Sequence, residues 1–165
     1  MTAGPSFEEL MRYTGQEAER WRAFFEQQPA ALDAPLDIAG QKTARGLLMH
    51  IFAVEQRHSE RLLGEPVTPP EQFVSKQSLD EIYGVARAGR GKLTQFLSTA
   101  TENDMRQVLT FVTITAGEVT TSKRKLAVHI LLHGIRHYAQ LATAVRQGGY
   151  PQPWMHDIMF SDAME

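Results

Sequence analysis

Apolar residues recur at helical spacing in four stretches of the chain, and segments rich in proline and glycine separate them. In the first, Phe7, Leu10, Met11, Trp21, Phe24 and Phe25 follow a capping box of Ser6 and Glu9, which predicts a helix over about Phe7 to Gln27. Pro29 and Pro35 then break the pattern into a linker of about a dozen residues. Periodicity resumes around Gln41 and predicts a second helix to Leu63, stopped by Gly64, Pro66, Pro69 and Pro70. Ser78 and Glu81 form another capping box, and Leu79, Ile82, Tyr83, Ala86, Leu93, Phe96 and Leu97 give a third helix its buried stripe, ending near Thr99. Gly84, Gly89 and Gly91 weaken that helix.

Between Gln107 and Thr115 the period changes to two, with β-branched and aromatic residues, and Ala116 with Gly117 offers a turn, which predicts a small strand or hairpin. The fourth helix starts near Ser122 as N-cap and stops at Gly148, Gly149 and Pro151. The tail from Tyr150 carries Trp154, Ile158, Met159 and Phe160, so it is expected to pack on the helices or on a second subunit. The expected fold is therefore all-α, a bundle of four helices with long connections and a small β insert between the third and fourth. At 165 residues it forms one domain, residues 1–165.

Composition narrows the chemistry. The 17 Lys and Arg nearly balance the 19 Asp and Glu, without the basic footprint that nucleic-acid binding leaves. There is no cysteine, which excludes disulfides, Cys-based zinc sites, iron-sulfur clusters and a cysteine nucleophile. Met1 to Leu10 lacks a basic segment followed by an apolar one, and no later run reaches the roughly 18 apolar residues of a membrane span. The expected location is the cytoplasm.

Any metal must then be held by His, Asp or Glu. His129, His133 and His137 lie four residues apart in the fourth helix, and neighbouring imidazoles at that spacing point the same way from consecutive turns. At about 100° per residue, Leu126, Ile130, Leu141, Ala144 and Val145 define a buried arc that includes His133 and His137. His129 falls on a polar flank beside Lys125, Arg136 and Gln140, suited to surface contact or to supporting the other two. Two imidazoles on a buried stripe need partners, because unpaired burial of polar nitrogen costs roughly 2 to 7 kcal/mol. A metal ion or a set of core hydrogen bonds to backbone or carboxylates would supply them.

On the second helix His50 and His58 are eight residues apart, about 12 Å along the axis, so both cannot hold one ion. His58 lies more centrally in the apolar arc and His50 at its edge, and periodicity leaves the pair open. Glu55 and His58 spell E-x-x-H, half of the di-iron carboxylate motif. The second half is missing.

The order of parts, LLMHIFAVEQRHSERLLG, then a β-like insert, then HILLHGIRHYAQLATAVRQGGYP and a short aromatic tail, resembles the DinB/YfiT-like family of metalloenzymes. Helix 4 of that family reads close to H-x-x-N-H-x-x-H-H-x-G-Q and ends in a glycine and proline turn. The likeness spans almost the whole chain and is most specific from His129 to Pro151. It implies a bundle with long crossover connections and places the helix-2 metal ligand on His50 and the two helix-4 ligands on His133 and His137. The chain departs from the family pattern at Leu132, Arg136, Tyr138 and Ala139.

What the resemblance implies is a divalent metal, zinc or nickel first and iron, manganese or copper next, held by three neutral histidines with a position open to water or substrate. In thiol-handling relatives that position activates a small thiol such as mycothiol or bacillithiol. The expected function is a metal-dependent transferase joining a small-molecule thiol to an electrophile, or a hydrolase using water. The competing expectation is a non-catalytic dimeric metal-binding or protein-interaction bundle. A homodimer is expected on either, because the tail and the aromatic first helix offer more apolar surface than a thin bundle covers.

Overall fold

The computed structural model describes residues 4–164 of the chain. It is mostly helical, with two small antiparallel hairpins. Four long helices carry the mass: α1 (Phe7–Gln27), α2 (Ala44–Leu63), α4 (Leu79–Thr99) and α6 (Lys123–Gln147). Two short ones, α3 (Glu71–Val74) and α5 (Glu102–Arg106), sit in the connections. The main packing runs α2 on α4, α2 on α6, and α1 on both α4 and α6, so α1 and α2 oppose each other diagonally.

The helix ends follow from the caps. Ser6 and Ser78 each accept from the backbone three residues on while Glu9 and Glu81 return the bond, so both capping boxes close. Thr43 caps α2 and Ser122 caps α6, and Gly64 ends α2 in the left-handed region at φ 73°. One core gathers Trp21, Phe25, Leu47, Leu48 and Ile51, and a second gathers Leu62, Leu93, Phe96, Leu126 and Leu131.

The connections hold more structure than the proline pattern predicts. After α1, residues Pro29–Asp33 form a 3₁₀ turn, and β1 (Pro35–Ile38) pairs with β2 (Gln41–Thr43). Helix α2 therefore begins at Ala44 rather than near Gln41. The two residues of this hairpin's turn, Ala39 and Gly40, both have positive φ, 53° and 78°. That conformation usually calls for Asn-Gly or Asp-Gly, so an alanine there hid the turn.

The second hairpin lies where the two-residue period puts it: β3 (Val108–Thr113) pairs in register with β4 (Gly117–Ser122). Among the described residues no helix is long and apolar enough to cross a membrane.

The tail folds back on its own chain. Trp154 meets the Trp21 and Phe24 rings edge-on at 5.2 and 5.7 Å, and His156 Nδ1 lies 2.6 Å from the buried Glu17 carboxylate. Part of the apolar surface of α1 is thus covered within one chain. Ile158, Met159, Phe160 and Met164 remain exposed.

A buried ion pair ties three helices together. Arg90 Nε of α4 lies 2.8 Å from Glu55 Oε1 of α2, and the same guanidinium donates to Met11 O and Thr14 Oγ1 of α1. Burial pushes the Glu55 carboxyl upward and Arg90 pulls it back. Arg90→Met should leave that carboxylate stranded and lower stability by about 3 kcal/mol at pH 7 in urea titration. The loss should shrink toward pH 5, where the stranded carboxyl takes up a proton. A neutral result at pH 7 would count against this role.

Candidate metal centre

Two elements build the centre. The register of α2 and α6 brings His50 of α2 against His133 and His137 of α6, on consecutive turns of the buried stripe. One ring nitrogen from each of the three lies within 4.8 Å of the others. His50 Nε2 and His133 Nε2 are 3.1 Å apart, and the His133 and His137 rings are 4.3 Å apart between centroids. Two nitrogens bound at 2.0–2.1 Å to a tetrahedral ion sit about 3.3 Å from each other, so this spacing suits a shared cation.

The triad has little else to bond. His137 Nδ1 lies 2.6 Å from Gln140 Oε1, which fixes the ring with its proton on Nδ1 and its lone pair on Nε2. Arg136 Nη2 lies 3.3 Å from that Nε2. Among the described residues, no carboxylate or backbone carbonyl takes a hydrogen bond from any of the three rings. His156 is the histidine that does have a carboxylate, that of Glu17.

All three imidazoles are held neutral. Burial, chiefly, brings His50 down to about 4 and His133 to about 2, with repulsion among the neighbouring rings and Arg136 adding to it. Burial also lowers His137, which its bond to Gln140 partly offsets. Neutral imidazole is the form that ligates metal.

His50 and not His58 joins the cluster. His58 lies farther along α2, its ring 5.7 Å from Phe111 and 5.6 Å from His129, and burial takes it down to about 3. Glu55, the carboxylate of E-x-x-H, is committed to Arg90 and does not line the centre. The half motif is a coincidence of spacing.

The polar flank of α6 is solvent-exposed, as the helical wheel places it, and it also borders a cavity. His129, with Lys125 and Arg136, lines a cavity of about 1040 Å³ that also takes in His50, His58, His133 and His137. His129 is exposed, its ring 5.5 Å from that of His133. A helical wheel separates polar from apolar faces but cannot tell a cavity wall from a surface. The hairpin β3–β4 roofs the cavity with Phe111, Thr113 and Val119, and the first hairpin supplies Ala39, Gln41 and Thr43 at its rim.

Two groups escaped sequence reasoning. Gln140 orients His137 from one turn away, a spacing readable from the sequence once His137 is chosen. Arg57 and Arg61 look like a solvated face in the sequence, yet both line the cavity.

A profile described as the DinB family matches residues 2–164. The fold is similar to the crystal structure of a DinB-like protein from Bacillus subtilis, with a TM-score of 0.60 at 14% identity, covering 92% of this chain and 96% of that one. Identity that low speaks for the fold alone. No curated protein matches by sequence.

Proposed function

The chain belongs to the DinB family, and on that premise we propose that it is a metal-dependent enzyme with a divalent ion on His50, His133 and His137. One observation carries this reading: three neutral ring nitrogens from two helices converge, and among the described residues no carboxylate or backbone carbonyl satisfies them. The scaffold is read as one domain, a four-helix bundle with crossover connections.

A bound divalent ion would lower the pKa of a coordinated thiol or water, giving a nucleophile at neutral pH. The residues of the chain do the rest. His50, His133 and His137 would ligate through Nε2, Gln140 would hold the tautomer of His137, and the roof of Phe111 and Val119 would keep bulk water from the open side. Arg136 must give up His137 Nε2 for that atom to ligate, which frees its guanidinium for substrate. Lacking cysteine, the chain takes its thiol from solution. The reaction proposed is transfer of a small thiol to an electrophile, with water as the nucleophile in a hydrolytic version. Zinc or nickel suits the donor set, and the setting is the cytoplasm.

The test is elemental analysis of untagged protein purified without chelator, followed by a screen for conjugation of electrophiles with several thiols. Expected are one ion per chain and turnover lost in His133→Ala but kept in His129→Ala. Protein that holds no metal and responds to none overturns the reading. A homodimer through the exposed Ile158, Met159 and Phe160 belongs to the same reading, and light scattering showing a monomer at micromolar concentration would remove it.

A further inference from the structure

The walls of the cavity carry six cationic side chains, Arg45, Arg57, Arg61, Lys76, Lys125 and Arg136, and not one Asp or Glu. The chain as a whole has a net charge of −2, so this concentration of one sign is not a by-product of composition. Charge of one sign inside a concave, low-dielectric wall focuses its field on whatever enters.

Among the described residues, only one of these cations makes an ion pair: Arg45, with Asp33, at 3.0 Å. Arg57 Nε is buried with no hydrogen-bond partner, although guanidinium donors are seldom left so. Arg61, one turn on, donates to Arg57 O, sits 3.4 Å from His58 Nδ1 and covers the Phe111 ring. Glu60 is the carboxylate acting on Arg61, and it is committed to Thr68 and Gln56. Among the described residues, the hydrogen-bond partner of Arg136 is His137, and it makes no ion pair. Two guanidinia on successive turns of α2, Arg57 and Arg61, repel one another, and Arg136 adds a third positive charge to the same wall from α6.

We infer that the cavity beside the histidine triad binds a small organic molecule bearing an oxyanion, received by Arg57, Arg61 and Arg136. Planar guanidinia suit carboxylate or phosphoryl oxygen, which they can grip through two parallel bonds. The rest of the ligand meets Met49, Val54, Phe73 and Ile114 on the apolar part of the wall. The volume suits a small molecule. As a statement of substrate class this rests on the proposed metal reading; as a statement about the cavity it rests on the charges.

Calorimetric titration of the full chain, once treated with chelator and once loaded with zinc, would use succinate, inorganic phosphate and butane-1,4-diol as probes. A dianion should bind and the neutral diol should not, and added salt should weaken the binding. Tighter binding of succinate marks a carboxylate ligand, and of phosphate a phosphoryl one. Arg57→Gln and Arg61→Gln should each raise Kd about tenfold, Arg57→Lys should retain part of the affinity, and Arg106→Gln, outside the cavity, should change nothing. Circular dichroism confirms that each variant folds. The inference is overturned if no dianion binds, if the diol binds equally well, or if the Arg57 and Arg61 variants keep wild-type Kd. Zinc content of the same samples separates the two ideas. Anion binding by protein that takes no zinc sinks the metal reading alone, and zinc without anion binding sinks this inference alone.

Discussion

Zinc at about a thousandfold above its Kd should raise the melting temperature by roughly 10 °C, because binding confined to the folded state contributes about 4 kcal/mol and each kcal/mol is worth about 2–4 °C at this chain length. Chelator should return the curve to its starting point. Alanine at His50, His133 or His137 should remove most of the zinc increment, whereas alanine at His58, His129 or His156 should leave it. His156→Ala gives up the bond to Glu17 and can lower the baseline, so the increment and not the absolute value is the readout. Loss of the zinc response in His58→Ala with its retention in His50→Ala would refute the ligand set.

The same centre has a pH signature. With folded values near 4 for His50 and 2 for His133, against about 6.5 in the unfolded chain, the unfolded state binds protons first. Metal-free stability should be full above pH 6.5 and fall as acid is added through the window toward pH 4. Protons should displace zinc from the native site only below pH 6.5. Release already half complete at pH 7 would mean that the rings are not held neutral.

Gly89→Ala should destabilise the protein by about 2 kcal/mol, even though alanine favours a helix by about 1 kcal/mol over glycine. A Cβ at Gly89 would lie 2.8 Å from Gln56 N and 3.0 Å from Gln56 Cα. Both are backbone atoms of α2, so relief requires α2 and α4 to move apart rather than a side chain to turn. Gly91→Ala meets nothing within 4 Å and should stabilise by up to about 1 kcal/mol. Since α2 carries His50, pushing it off α4 should also shrink the zinc increment of Gly89→Ala. Equal stability of the two variants in urea would show that the helices approach less closely than this.

The sequence made the four long helices legible because caps and periodicity agreed: Ser6 with Glu9, Ser78 with Glu81 and Ser122 all stand where helices begin. His133 and His137 were legible as buried polar groups on an apolar stripe. The choice of His50 over His58 was not, since both sit on one side of α2 and only its packing against α6 decides which ring meets the pair. The first hairpin was hidden by Ala39 in a turn position that alanine rarely takes. The cavity beside α6 was invisible for a different reason. Periodicity reports polarity, and a cationic wall is as polar as a surface. Gly84, Gly89 and Gly91 all read as weak points in a helix, while only the neighbouring helix shows that Gly89 is a point of contact.

The two hairpins frame the cavity but contribute none of the triad, which stands entirely on α2 and α6. The histidines and the roof and rim of the cavity are thereby carried by separate stretches of chain. The roof from Val108 to Ser122 and the rim from Pro35 to Thr43 are local pairings, each closed by its own turn. Either can change in sequence without changing which residues form the histidine triad. Such a scaffold is modular in part: the mouth of the cavity can be rewritten by exchanging two short inserts, while the triad and the arginines beside it stay with the helices.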